Sequence, residues 1–186
     1  GDVFLSNDPY VGRGSHLPDV AMASPIFYNG KLVMFVCNIA HHADIGGMSP
    51  GSMAGGMTEI YQEGLRIPPI RLFKAGELME DVMEMILLNV RVPEERRGDY
   101  NAQIASNKLG IRRCTDLIKK WEGQKIHDGC EAIIQSVAKR TRMSISNLPN
   151  GTYKFTDIVD DDGVSRKNIN IKVSITVDRD EILFDF

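Results

Sequence analysis

The sequence is short of net charge, of cysteine and of long apolar runs, and each shortage removes a class of protein. Its 22 basic and 25 acidic residues leave a formal charge of −3, so there is no basic footprint for nucleic acid or for an anionic membrane surface. The longest apolar stretch, "KLVMFVCNIA" at 31–40, falls well below the roughly 20 residues of a bilayer-spanning helix. The opening "GDVFLSNDPY" has neither the basic start nor the apolar core of a secretory signal. Three scattered cysteines, Cys37, Cys114 and Cys130, make no pair of metal-ligand spacings and fit a reducing cytoplasm. Repeats and low-complexity tracts are absent. Glycines 46, 47, 51, 55 and 56 cluster, but no Lys-Ser/Thr pair follows them, so a Walker-type nucleotide site is not expected.

What is there is globular in composition, 42% hydrophobic and 25% charged over 186 residues, enough for one domain or part of a larger one. The chain has no initiator Met and both ends read as strands, "DVFLS" and "EILFDF". A terminal strand calls for a neighbour, so a piece of a longer polypeptide, cut at its C-terminal side, is expected. "VAMASPIFYNGKLVMFVCNIA" is a predicted hairpin, because Asn-Gly suits a turn with two positive φ angles. Residues 45–57 are a predicted loop. A short helical piece ending at Gly64, an extended Pro-Pro segment and a turn at Ala75-Gly76 follow.

The period then changes to that of a helix, with Val82, Met85, Ile86 and Val90, later Ile104, Leu109, Ile111, Leu117 and Ile118. Pro93 with Glu94 and Glu95 suits the first turn of a second helix. A third runs through "IHDGCEAIIQSVAKRTRMSISN" until Pro149. The tail alternates at period two over three short strands, with turns at Asp162-Gly163 and Arg179-Asp180. The expected fold class is α+β: an antiparallel hairpin with site loops (about 1–75), a helical middle (76–148) and a small C-terminal antiparallel meander (149–186), within a single domain.

Three of the four histidines flank the hairpin. With Tyr28 opposite Lys31, strict register sets His41 opposite Pro18, with His16 diagonally across on the same face. Asp19 then shares the other face with His42 and Asp44. Pro18 cannot donate to the ladder, so a bulge is expected there, and it would swing Asp19 to the side of His16 and His41. Two imidazoles and a carboxylate with open positions form a set for a catalytic divalent metal. Spacing alone equally allows histidines that only cap strand ends. Asp8 reads as a general base, as a carboxylate behind the metal, or as an Asx-turn before Pro9. Glu59, Glu63 and Arg66 can face a site or form a solvated pair. Arg96-Arg97 can grip a phosphoryl group or begin a salt-bridged helix. The glycine cluster suggests a mobile lid. Cys37, inside the apolar run, is expected to be buried and inert.

"GDVFLSNDPYVGRGSHLPDVAMASPIF", "AHHADIGGMSPGSM", "EIYQEGLRIPP", "NVRVPEERRGDYNAQIASN" and "LPNGTYKFTDIVDDDG" resemble the hydantoinase B family. The resemblance runs in order along the whole chain. It implies the B part of ATP-dependent N-methylhydantoinases, 5-oxoprolinases and acetone-type carboxylases. It also implies a divalent metal, manganese or zinc, on His16, Asp19 and His41, with His42 and Asp44 behind them orienting a ligand imidazole. Arg13 departs from the pattern of the family, which has a small residue or none there. A separate or fused A-type part is implied to bind ATP and to phosphorylate a cyclic amide, which the B part then hydrolyses; Asp8, Glu59, Glu63 and Arg66, read from the residues themselves, are the candidate catalytic groups beside the metal. Ketone carboxylation is the runner-up outcome. Reached without the family, a non-haem iron oxygenase with the same ligand set and a non-catalytic scaffold subunit are the other readings.

Overall fold

The chain opens with β1 (Val3–Ser6), a short helix α1 (Pro9–Gly12), and the pair β2 (Asp19–Tyr28) and β3 (Lys31–His41). This computed structural model describes residues 1–186 and divides into two units, Gly1–Gly123 and Gln124–Phe186. Asn29 and Gly30 both take positive φ, 50° and 75°, and close the predicted hairpin with Tyr28 opposite Lys31. After a 3₁₀ turn at Ile60–Gln62 come β4 (Ile70–Lys74) and β5 (Glu77–Leu78), joined at Ala75-Gly76. All pairings are antiparallel, in the order β3-β2-β1-β4-β5. The sheet is open, with two edges, and is not the closed barrel on which the oxygenase alternative would rest.

Helices α2 (Glu80–Leu88) and α3 (Pro93–Trp121) complete the first unit. Pro93 stands at the start of α3 with Glu94 and Glu95 in its first turn, where carboxylates meet the positive end of the helix dipole. The core gathers Leu5, Val20, Met22 and Leu72 from the sheet against Met83, Ile86, Tyr100 and Ile104 from the helices. The buried stripe of α3 differs from the apolar spacing in the sequence: Arg96, Tyr100, Gln103, Ile104 and Asn107 face inward, while Leu109 and Leu117 are exposed. Gln103 and Asn107 are satisfied by the sheet, whereas Arg96 pairs with Asp99 on the helix itself and the buried Tyr100 hydroxyl has no hydrogen-bond partner. Gln103 Nε2 donates to Val20 O at 2.9 Å and Asn38 Oδ1 at 2.8 Å, and Asn107 Nδ2 donates to Ser24 Oγ at 3.0 Å. A fully paired network of this kind specifies which helix face meets the sheet.

Because side chains alternate along a strand, β3 is not buried throughout. Cys37 pairs with Ala23, on the face opposite Val20 and Met22, and is exposed. The expectation of a buried thiol fails because an unbroken apolar run hides the two-residue period of a strand covered on one side only.

The second unit holds α4 (Gly123–Ile145) and a three-stranded antiparallel sheet of β6 (Gly151–Asp161), β7 (Lys167–Asp178) and β8 (Glu181–Asp185). The meander forms as expected, but β6 and β7 are long, 11 and 12 residues. Their link is a loop in which Asp162 accepts hydrogen bonds from Val164, Ser165 and Arg166 N–H.

Candidate metal centre

Between Ile26 and Phe27 the β2–β3 register shifts: Phe27 pairs with Leu32, but Ile26 pairs with Met34, so Val33 is the extra residue. From there outward every pair is displaced by one, and Asp19 lies opposite His41. The bulge needed to unite the ligands therefore exists, but it sits beside the hairpin turn and not at Pro18. Pro18 keeps the ladder going through its carbonyl, which accepts from His42 N–H at 2.8 Å.

His16 joins through the turn before β2, where Asp19 N–H donates to His16 O at 3.2 Å around the buried Leu17. The ligand atoms of His16, Asp19 and His41 lie within 4.8 Å of one another, and the two imidazole centroids are 5.1 Å apart. His16 Nδ1 approaches Asp19 Oδ2 to 3.0 Å, yet this buried nitrogen has no hydrogen-bond partner. The contact lacks hydrogen-bond alignment, so two electron-rich atoms face a common point. Such an orphaned nitrogen fits a cation between them, and imidazole with carboxylate suits manganese or zinc.

His42 and Asp44 are placed elsewhere, and neither orients a ligand ring. His42 is buried and its ring lies 4.3 Å from that of Tyr100. Since Gln103 Nε2 must face the Val20 carbonyl, Gln103 Oε1 faces His42 Nε2 at 2.9 Å, so the His42 proton resides on Nε2. Burial pushes the His42 imidazole below its ordinary value, against the opposing hydrogen bond to Gln103, and keeps it neutral.

Asp44 organises the glycine loop. Burial alone would raise its carboxyl, but N–H donors of Arg91, Gly46 and Gly51 and the Arg91 guanidinium hold it below the usual range. Arg91 also donates to the carbonyls of Gly47 at 2.9 Å and Ser49 at 3.1 Å. Ser52 Oγ accepts from Ile45 N–H at 2.8 Å and donates to Gly46 O at 2.7 Å. Gly46 has φ +90°, and a Cβ there would strike the Asn89 carbonyl. Residues 44–52 are thus a stapled turn, and the mobile-lid expectation fails for them.

The four expected catalytic residues separate. Asp8 caps α1, accepting from Tyr10 N–H at 2.8 Å, and binds Arg66 Nη2 at 2.7 Å. Burial opposes its ionisation, but Arg66 and the backbone donors outweigh this and leave the carboxyl lowered, which makes Asp8 a poor base at neutral pH. Arg66 is held by that pair between the rings of Tyr10 and Tyr61. Glu59 is the N-cap residue of the 3₁₀ turn, its N–H bonded to Gln62 Oε1 at 3.0 Å. Glu63 alone lines the cavity of about 390 Å³ that His16 also lines, with Met53 and Met57. Its carboxylate joins no hydrogen bond or ion pair. Arg96 pairs with Asp99 and Arg97 with Glu84, so neither guanidinium is free for a phosphoryl group.

Sequence reasoning missed Arg91 and the Gln103–Asn38–Asn107 network. Their partners lie 42 to 83 residues away, and only the polar positions Gln103 and Asn107 on an otherwise helical pattern hinted at them.

The family model described as hydantoinase B/oxoprolinase matches residues 1–186. The chain is 35% identical to the caprolactamase subunit beta of Pseudomonas jessenii over 182 residues, 97% of this chain and 31% of that one. It is 34% identical to the 5-oxoprolinase of Dictyostelium discoideum, covering all of this chain and 15% of the relative. The crystal structure of the ATP-dependent caprolactamase from Pseudomonas jessenii superimposes with TM-score 0.91 at 32% identity, over 99% of this chain and 32% of that one. The nucleotide-free acetone carboxylase structure shares the fold, with TM-score 0.79 at 22% identity, over all of this chain and 26% of that one. The chain thus spans about a third or less of the relatives it matches.

Proposed function

The chain belongs to the hydantoinase B/oxoprolinase family, and from that premise we propose that it carries the metal-assisted site of an ATP-dependent cyclic-amide hydrolase. The observation that supports this most is the meeting of His16, Asp19 and His41 on one sheet face, beside a cavity that holds the unpaired carboxylate of Glu63. Those three side chains would hold a divalent ion, manganese or zinc, which would supply Lewis acidity at the site.

The remaining work falls to the chain itself. Glu63, free of partners, takes a proton from water that attacks the phosphorylated amide carbon and returns it to the nitrogen as the ring C–N bond breaks; the acyl phosphate left behind is hydrolysed by a second water to carboxylate and inorganic phosphate. Met53 and Met57 line the same cavity and keep it poor in competing polar groups. The Asp8–Arg66 pair fixes α1 and so the turn that presents His16. ATP is bound by an A-type partner subunit, which phosphorylates the substrate. The substrate is a hydantoin or a lactam, and the chain acts in the cytoplasm.

Elemental analysis of the purified chain tests the centre: about one divalent ion per chain is expected, and none in His41→Ala. With the A-type partner, ATP and a lactam, Glu63→Gln should keep the metal and lose lactam hydrolysis by about 10²- to 10⁴-fold. A metal-free parent chain, or a fully active Glu63→Gln, rejects the respective assignment.

A further inference from the structure

The register of the sheet places a second feature on the face that carries the triad. Phe4, Ala23 and Cys37 form one cross-strand row, and Ser6, Ala21 and Ile39 form the next. The third row is Asp19 with His41. Alternate residues share a face, and successive rows lie about 7 Å apart. The two alanines leave the middle of the first two rows hollow between Phe4, Cys37 and Ile39, and the resulting trough encloses about 400 Å³.

The trough contains no charged residue. Its two polar side chains are engaged elsewhere: Ser6 Oγ donates to Ile67 O at 3.1 Å, and the Asn38 amide is tied to Gln103 and Asn107. The adjacent cation, Arg71, is paired with Asp2 and lies over the Phe4 ring. A ligand carboxylate in the trough would lose water without gaining a counter-charge, whereas methylenes gain from leaving water.

We propose that this trough seats the hydrocarbon part of a neutral lactam whose amide reaches the His16–Asp19–His41 centre, so that a substrate bearing a carboxylate on its ring is disfavoured. The assignment rests on the proposed function of that centre. Ile39 and Ala21 are the specificity-determining positions, because they form the row next to the ligands. Enlarging Ala21 fills the hollow, and trimming Ile39 removes a wall.

The test uses the full chain with carbon-13 at its alanine methyls and with its metal content measured in the same sample. Titration with ε-caprolactam should move the Ala21 and Ala23 signals to saturation, and 5-oxoproline at the same concentration should leave them in place. Ala21→Leu should weaken caprolactam binding by at least about tenfold without changing metal content. Ile39→Ala, read on the Ala23 signal, should weaken it in the same direction and serves if Ala21→Leu does not fold. Unmoved signals with caprolactam, or equal movement with 5-oxoproline, overturn the trough while bound metal leaves the centre standing. A metal-free parent chain overturns both.

Discussion

His41 and His42 are neighbours in sequence and opposites in environment. His41→Ala leaves one imidazole and one carboxylate, and the metal should be lost, as elemental analysis will record. His42→Ala should leave the metal in place and lower stability by about 2–4 kcal/mol, read from denaturant unfolding. The reason is that His42 packs on Tyr100 and supplies the donor for Gln103 Oε1, so its removal opens a cavity and strands a buried acceptor. Asp44 makes a separate prediction in acid. Its folded-state carboxyl is held below the ordinary value, and that value is about 3.9 in an unfolded chain. Its stabilisation is therefore complete above pH about 4 and is lost as the pH falls through the lower folded value. Arg91→Ala removes one of the groups that hold the carboxyl down, and the acid-unfolding midpoint followed by circular dichroism should move upward.

At the scale of elements, the contact between α3 and β3 decides where the network can form. A Cβ on Gly110 would come within 2.6 Å of Val36 Cγ1, so the helix lies close against the strand at that point. Gly110→Leu should cost about 1–3 kcal/mol through overpacking, measured as a loss in unfolding free energy with the denaturant slope unchanged. The hairpin turn was legible in the sequence because Asn-Gly has a local reason to adopt it. The position of the bulge was not. Nothing around Val33 marks it as the extra residue, and Pro18, which cannot donate to the ladder, was the more visible candidate. The bulge is set by the far end of the hairpin, where His42 N–H bonds to Pro18 O and where α3 holds Asn38 through its amide. One residue of slip reverses every side chain of a strand, so that non-local choice put Asp19 with His41 and sent His42 into the core.

For the whole molecule, the lack of a Lys-Ser/Thr phosphate loop and the pairing of Arg96 and Arg97 with Asp99 and Glu84 predict that the purified chain does not turn over ATP. A phosphate-release assay on the chain alone, then with an A-type partner, checks this; turnover by the chain alone would place nucleotide chemistry here. No helix is long and apolar enough to cross a membrane, in line with the short apolar runs. By itself the sequence determined the α+β class, the hairpin and the start of α3 at Pro93, and it singled out His16, Asp19 and His41 as candidate ligands, because turn chemistry, capping and hydrophobic period act within a few residues, and because the motifs resembling hydantoinase B are long. Tertiary structure alone decided which face each β3 side chain takes, that Glu63 and not Asp8, Glu59 or Arg66 shares the cavity with His16, and that Asp44 and Arg91 staple the glycine loop. Those outcomes depend on hydrogen bonds and packing between residues tens of positions apart, whose free energy appears only when the sheet and α3 have closed on each other.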